Sequence, residues 1–407
     1  MHLSHLALTD FRNFSRLDID VPRGALLLVG DNAQGKTSLL EAIYYLATFT
    51  SFQASSDHQL INFLAAKGSL AVGRIVADYI RGGRSHRLEV RIIQETHNAN
   101  GLTRVRKEIL LDGVKRKANQ AIGHFNAVLF LPQMLQVVEG PPSERRRYFN
   151  LILAQAVPDY AAHLTAYHKA ITQRNALLKQ LNERGGDPDQ LNYWDEQVSL
   201  DGSFLLDARI HIIQEIEHIA ALVHLELTHS TERLRLDYRP AYDPFEAPSG
   251  QQFSMNLDAP IDRKNFPKDK IRAGFQQALT NKRAEEIARG QTTIGPHRDE
   301  IRFSANGIDL GIYGSRGQVR TTMLSMKMAE IVWIKEKTGH WPVLLLDEVL
   351  AELDPQRRKD LLSRLGKNEQ ALLTTTDLDL FTPEFVQQAQ LWQIGAGRIV
   401  NKPPEAD

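Results

Sequence analysis

The 407-residue sequence contains no cysteine. That excludes disulfides and thiolate metal sites, and it suits a reducing compartment. No stretch approaches the ~20 consecutive apolar residues of a membrane span. The opening residues, MHLSHLALTDF, lack a charged segment followed by a long apolar run, so no secretory signal is read there. The expectation is a cytoplasmic protein with no membrane partner. Formal net charge is zero. Bulk charge thus gives no support to a nucleic-acid partner, and any such surface must be a local patch. What is present is ordinary globular composition, with 42% hydrophobic residues, and a length that suggests two or three domains.

The most specific stretch is Gly30-Asp31-Asn32-Ala33-Gln34-Gly35-Lys36-Thr37, a GxxxxGKT pattern. Ala25 to Val29 before it is a short apolar run, read as a buried strand. Ser38 to Leu46 after it reads as a helix with an apolar face. Strand, glycine-rich loop and helix are the context a phosphate-binding loop requires. Glycines let backbone N–H groups close around a polyphosphate, and the helix N-terminus adds a favourable dipole. Lys36 would reach the outer phosphates, and Thr37 would offer its hydroxyl to Mg²⁺.

A metal-holding acid is expected on a neighbouring strand. Val343 to Leu346 is apolar throughout and reads as a central parallel strand. Asp347 at its C-terminal end would hold Mg²⁺, since ligands bind beyond the carboxyl ends of such strands. Glu348 is placed to polarise the attacking water. Far along the chain, Ser315-Arg316-Gly317-Gln318 opens a helical pattern from Val319 to Ile334, and such a start can bind an anion. Ala351 to Asp354 is a short acidic turn.

Further elements surround these motifs. His5 to Leu8 and Leu17 to Val21 read as hairpin strands about a turn at Asp10 to Phe14. From Gly73 to Lys117 more strands are expected, broken at Gly82-Gly83 and at Asn98 to Gly101. Asp112-Gly113 signals a hairpin whose arms carry Arg104, Arg106, Lys107, Lys115, Arg116 and Lys117. These cations could lie on phosphates or protect a solvated edge. Val128 to Leu131 reads as a strand, followed by Gln133. Pro141-Pro142-Ser143 breaks the chain, with Ser143 as helix N-cap. Arg145, Arg146 and Arg147 then oppose the helix dipole, which suits a phosphate contact or a solvated face.

Residues 159–184 and 191–229 form two helical patterns, read as an antiparallel arm. Its first helix carries a 3.5-residue seam of Leu164, Tyr167, Ile171, Leu178 and Leu181, interrupted by Arg174. Tyr238 to Pro260 reads as a loop, and Lys268 to Arg289 as helix. His297 and Arg298, after a Gly-Pro turn, are expected to be exposed where the chain re-enters the first domain. His297 has no partner histidine at ligand spacing, so a metal site is rejected there. Thr374-Thr375-Thr376-Asp377 follows a further apolar pair.

Signature, acidic strand and turn in this order resemble the ABC-type ATPases, in which two heads sandwich ATP. More narrowly, the chain resembles the RecF family of bacterial DNA replication and repair proteins. The resemblance rests on FRNF, GDNAQGKTSLLEAIYYL, PPSERRRYF, the Trp194 to Gln197 stretch, GPHRDEI, SRGQVRT and LLLDEVLAELD. It implies an α/β fold, an ABC-type P-loop ATPase head with an inserted helical lobe. The expected parts are 1–141 and 291–407 for the head and 142–290 for the lobe.

The resemblance also implies ATP and Mg²⁺ as cofactors, an ATP-dependent homodimer and slow hydrolysis. The implied partners are double-stranded and gapped DNA, with RecR and RecO, and RecA indirectly. By similarity, Gly30 to Thr37, Asp347, Glu348, Ser315, Gly317 and Gln318 contact nucleotide, as do Arg12 and Asn13. Gln133 sits where related heads sense Mg²⁺ and water, and Thr374 to Asp377 where many carry a switch histidine. The family usually shows Arg-Ser-Phe-Arg where this chain has Thr50 to Gln53, Pro-Glu-Asp-Leu at Pro132 to Leu135, and glutamine at Val319. A nucleotide-regulated scaffold with little hydrolysis is the alternative reading. The arm is far too short for an SMC-like organiser.

Overall fold

The computed structural model describes residues 1–97, 102–244, 267–365 and 369–401. The chain forms two compact units. The first comprises Met1–Met134 and Glu330–Asp407, the second Leu135–Ala329.

In the first unit, β1 (His2–Phe11) and β2 (Phe14–Asp20) form the expected hairpin, longer than the apolar alternation alone indicated. β3 (Gly24–Val29) leads through the glycine loop into α1 (Lys36–Thr48). This helix is buried nearly all round, including Glu41, so it is a core helix, not one with a single apolar face. β4 (Leu70–Arg81), β5 (Arg84–His97), β6 (Leu102–Leu111) and β7 (Val114–Arg116) complete an antiparallel sheet ordered β2-β1-β4-β5-β6-β7. Asp112 and Gly113 both have positive φ, 49° and 80°, as the tight hairpin turn demands. The expected break at Asn98 to Gly101 lies outside the described residues. A short α2 (Ala118–Ala121) precedes β8 (Ala127–Phe130).

The second unit begins with α3 (Gln136–Glu139) and α4 (Pro142–Ala156). Ser143 is not the N-cap: Pro141 is, because the proline at the first helical position carries no N–H to satisfy. The arm is α5 (Tyr160–Arg184) paired with α6 (Leu191–Leu227). β9 (Leu234–Arg239) follows, and then α7 (Lys268–Arg289), which packs on both arm helices. Much of the loop expected from Tyr238 to Pro260 lies outside the described residues.

β10 (Glu300–Ala305) pairs with β9 and with β11 (Ile308–Asp309) in a three-stranded antiparallel sheet. The chain therefore does not re-enter the first unit at residue 291. It stays in the second unit through α8 (Leu310–Tyr313) and most of α9 (Arg316–Thr338), crossing at Glu330.

Back in the first unit, β12 (Val343–Asp347) is buried along its whole length. A 3₁₀ turn over Val349–Glu352 and α10 (Pro355–Leu365) lead to β13 (Gln370–Thr375). α11 (Pro383–Gln388), β14 (Gln390–Gly395) and β15 (Arg398–Asn401) end the described chain. The second sheet runs β15-β14-β3-β13-β12-β8, parallel except at β15. One apolar core joins the two sheets through α1, from Leu8 and Val90 to Leu345 and Trp392. Among the described residues no helix is long and apolar enough to cross a membrane.

Candidate nucleotide site

The glycine loop lies at the carboxyl end of β3, beside the ends of β13 and β12. Two glycines are required there for different reasons. A side chain at Gly30 would overlap the carbonyl oxygen of Ile394, and one at Gly35 (φ 116°) would strike the Asn13 amide. Ala33 also takes a left-handed conformation, φ 62°. Gln34 anchors the loop from outside: its side-chain oxygen accepts from the Ala396 N–H at 2.6 Å, and its carbonyl from Gly397 at 3.0 Å. Asp31, Asn32 and Ala33 are exposed at the loop's crest.

Lys36 is 3% exposed. Its ammonium donates to the carbonyls of Gly30 and Asp31 and sits 3.2 Å from Glu348 Oε1. Three oxygens thus surround a buried cation at the spot where phosphate oxygens would lie. Thr37 Oγ1 donates to Asp347 Oδ1 at 3.0 Å. Burial pushes the Asp347 carboxyl above its ordinary range, and hydrogen bonds from Thr374 and Thr37 oppose that shift. A nearby cation would relieve it.

Arg12 (φ 53°) turns the β1–β2 hairpin. Its guanidinium grips the fully buried Glu41 through two bonds of 2.6 and 2.8 Å and reaches the Gln59 carbonyl at 3.1 Å. Glu41 thus fixes Arg12 at the cleft wall. Its spacing within the helix gave no sign of that role.

These groups line a cleft of about 880 Å³ in the first unit. Its lining includes the polar Lys36, Thr37, Gln133, Asp347 and Glu348 and the apolar Ile61, Phe63 and Leu64. Phe63 and Leu64 are 74% and 73% exposed. Gln53, from the stretch that departs from the family pattern, also lines it. Among the described residues no three His, Cys, Asp or Glu side chains cluster to hold a metal by themselves. One carboxylate with one hydroxyl suits Mg²⁺ that arrives with phosphates and keeps several waters.

The other expected contacts lie in the second unit. Ser315 and Gln318 cap α9 reciprocally: Ser315 Oγ accepts from the Gln318 N–H at 3.2 Å, and Gln318 Oε1 from the Ser315 N–H at 2.9 Å. Gly317 lies within that first turn. Val319 is fully buried, which explains an apolar residue there.

The basic clusters need correction. Arg145 is 8% exposed and is consumed internally by Glu300 (2.9 Å) and the carbonyls of Val138 and Gly140. Arg146 is half-buried and donates to the Asp299 carbonyl at 2.8 Å. Arg147 is exposed. On the hairpin, Lys115, Arg116 and Lys117 are all exposed, and Lys115 shares Glu108 with Arg106. His297 is not fully exposed either: its ring sits 2.7 Å from the Tyr167 hydroxyl, and burial lowers its pKa to about 4.

A parallel sheet with a glycine loop, a lysine and an acid-tipped neighbouring strand defines a P-loop head of the ABC type. Residues 2–389 match the RecF/RecN/SMC N terminal domain family. The DNA replication and repair protein RecF of Roseiflexus castenholzii is 37% identical over 98% of this chain and 99% of its own. RecF of Chloroflexus aurantiacus is 38% identical with the same coverage. The solved structure of the recombination mediator protein RecF with ATP, of the RecFOR pathway, superposes with a TM-score of 0.81. It is 27% identical, over 99% of this chain and 98% of that one. The chain belongs to the RecF family of DNA replication and repair proteins.

Proposed function

We propose that the cleft binds ATP with Mg²⁺ and that the nucleotide gates a DNA-binding dimer. The observation that carries this is the buried Lys36 ammonium within its cradle of oxygens, beside the Thr37–Asp347 pair at 3.0 Å. Lys36 exchanges its loop carbonyls for phosphate oxygens, while Gly30 to Gly35 offer backbone N–H groups. Thr37 and Asp347 would hold the cation, and Gln133 lines the same cleft. When bound, Mg²⁺ neutralises charge developing on the phosphates. Glu348 orients the attacking water and takes its proton. Arg12 and Asn13 border the nucleotide, and the base lies toward Phe63 and Leu64.

Ser315, Gly317 and Gln318 of a second copy meet the outer phosphate, through the N-terminus of α9. The solved RecF relatives belong to the RecFOR pathway. On that ground RecR and RecO are proposed partners, with RecA loading at gaps as the output and weak, DNA-dependent hydrolysis as the reset. Lys115, Arg116, Lys117 and Arg147 are the exposed members of the basic clusters proposed for DNA.

A second reading, a scaffold that scarcely hydrolyses ATP, is favoured by one feature: Glu348 is already engaged by Lys36 at 3.2 Å. Sedimentation of Glu348→Gln protein tests the dimer. ATP–Mg²⁺ should give a dimer and ADP–Mg²⁺ a monomer, and Lys36→Met should abolish the difference. A dimer indifferent to nucleotide would refute the gating.

A further inference from the structure

Three consecutive threonines run across the end of β13, and each has a different fate. Thr376 is exposed. Thr375 closes the following turn: its hydroxyl donates to the Asp377 carbonyl at 2.7 Å and accepts from the Asp377 N–H at 3.0 Å. Thr374 is 4% exposed and lies directly opposite Asp347 in the parallel pairing of β12 with β13. Its hydroxyl donates to Asp347 Oδ1 at 2.7 Å and accepts from the Glu348 N–H at 3.0 Å.

From these contacts we infer that Thr374 is a positioning residue that couples the cation-holding acid to the water-orienting acid. A hydroxyl has one proton and can accept through its lone pairs. Here the proton goes to one acid and a lone pair takes the peptide N–H of the other. Asp347 Oδ1 already accepts from Thr37, so the two threonines saturate that oxygen. Oδ2 accepts no hydrogen bond among the described residues, and it is left for a cation.

The Glu348 contact has its own consequence. Glu348 is left-handed, φ 52°, a conformation that is strained for a residue with a side chain and persists only where its surroundings enforce it. The Thr374 oxygen holds the peptide N–H of this turned residue. One side chain thereby fixes the carboxylate plane of Asp347 and the backbone turn that aims Glu348. Thr374 is buried and does not line the cleft, so it acts on the two acids and not on the nucleotide.

The inference rests on the nucleotide reading above and is tested beside it. ATP is titrated calorimetrically into wild type, Thr374→Val and Thr374→Ser, with Mg²⁺ and with EDTA, and single-turnover hydrolysis is followed in parallel. Valine keeps the shape and removes both hydrogen bonds; serine keeps both. Thr374→Val should lose roughly tenfold or more of the Mg²⁺-dependent gain in affinity, the usual scale for a partner that orients a ligand. Its EDTA affinity should match wild type, its turnover should fall, and serine should restore both. A wild-type Mg²⁺ gain and turnover in Thr374→Val would overturn the role, as would equal damage in Thr374→Ser. A wild type whose affinity ignores Mg²⁺ would overturn the nucleotide reading itself.

Discussion

The two units use charged motif residues in opposite ways. In the first, Lys36, Asp347 and Glu348 are gathered at an open cleft, and their partners are ones a ligand can replace. In the second, several charges are sealed inward. Arg174 is fully buried against Asp195 (2.7 Å) and Glu286 (2.6 Å), and Arg209 binds Asp299 at 2.8 Å. The Trp194 to Gln197 and GPHRDEI stretches thus supply counter-ions that hold helices together. A motif rich in charge marks chemistry only where its groups have a surface to act on.

The comparison breaks most visibly at Arg174. Its replacement by alanine leaves Glu286 buried without its cation and Asp195 held by Arg283 alone, at a cost of about 3–5 kcal/mol. Denaturant unfolding should show that loss. ATP affinity of the remaining folded protein should hold.

His297 gives the next effect. Burial lowers its pKa from 6.5 to about 4, so between those values the unfolded chain binds more protons than the folded one. Stability is then full above pH 6.5 and falls as the pH drops toward 4, by on the order of 3 kcal/mol at 1.36 kcal/mol per unit. Urea midpoints at several pH values should show this slope, flattened in His297→Gln.

Lys36→Met should act in the reverse sense to Arg174→Ala. Removing a charged hydrogen-bond donor is worth about 1.5–3 kcal/mol, roughly ten- to a hundredfold in ATP affinity, with little change in unfolding. The smallest effects concern DNA. Arg116→Glu with Lys117→Glu should lower the salt slope of binding by about one unit for each phosphate that is no longer neutralised. Arg145→Gln should instead lower stability, because its partners are internal.

What was legible in the sequence was local. A glycine loop between an apolar run and a helix needs no distant information, and neither does an Asp-Gly hairpin or a five-residue buried strand. What stayed hidden depended on pairing across long separations. Arg174 reads as a break in an apolar seam until Asp195 and Glu286 are placed around it. The return at residue 291 failed because β10 pairs with β9, some sixty positions earlier. Thr374, Thr375 and Thr376 are indistinguishable until the register of β13 against β12 selects one of them.

The central claim is that nucleotide in the first unit's cleft controls the hold on DNA. Its most direct test is the anisotropy of a labelled gapped duplex titrated with Glu348→Gln protein at one fixed salt, comparing ATP–Mg²⁺ with ADP–Mg²⁺. The account predicts much tighter binding with ATP–Mg²⁺. Equal affinities in the two states would contradict it.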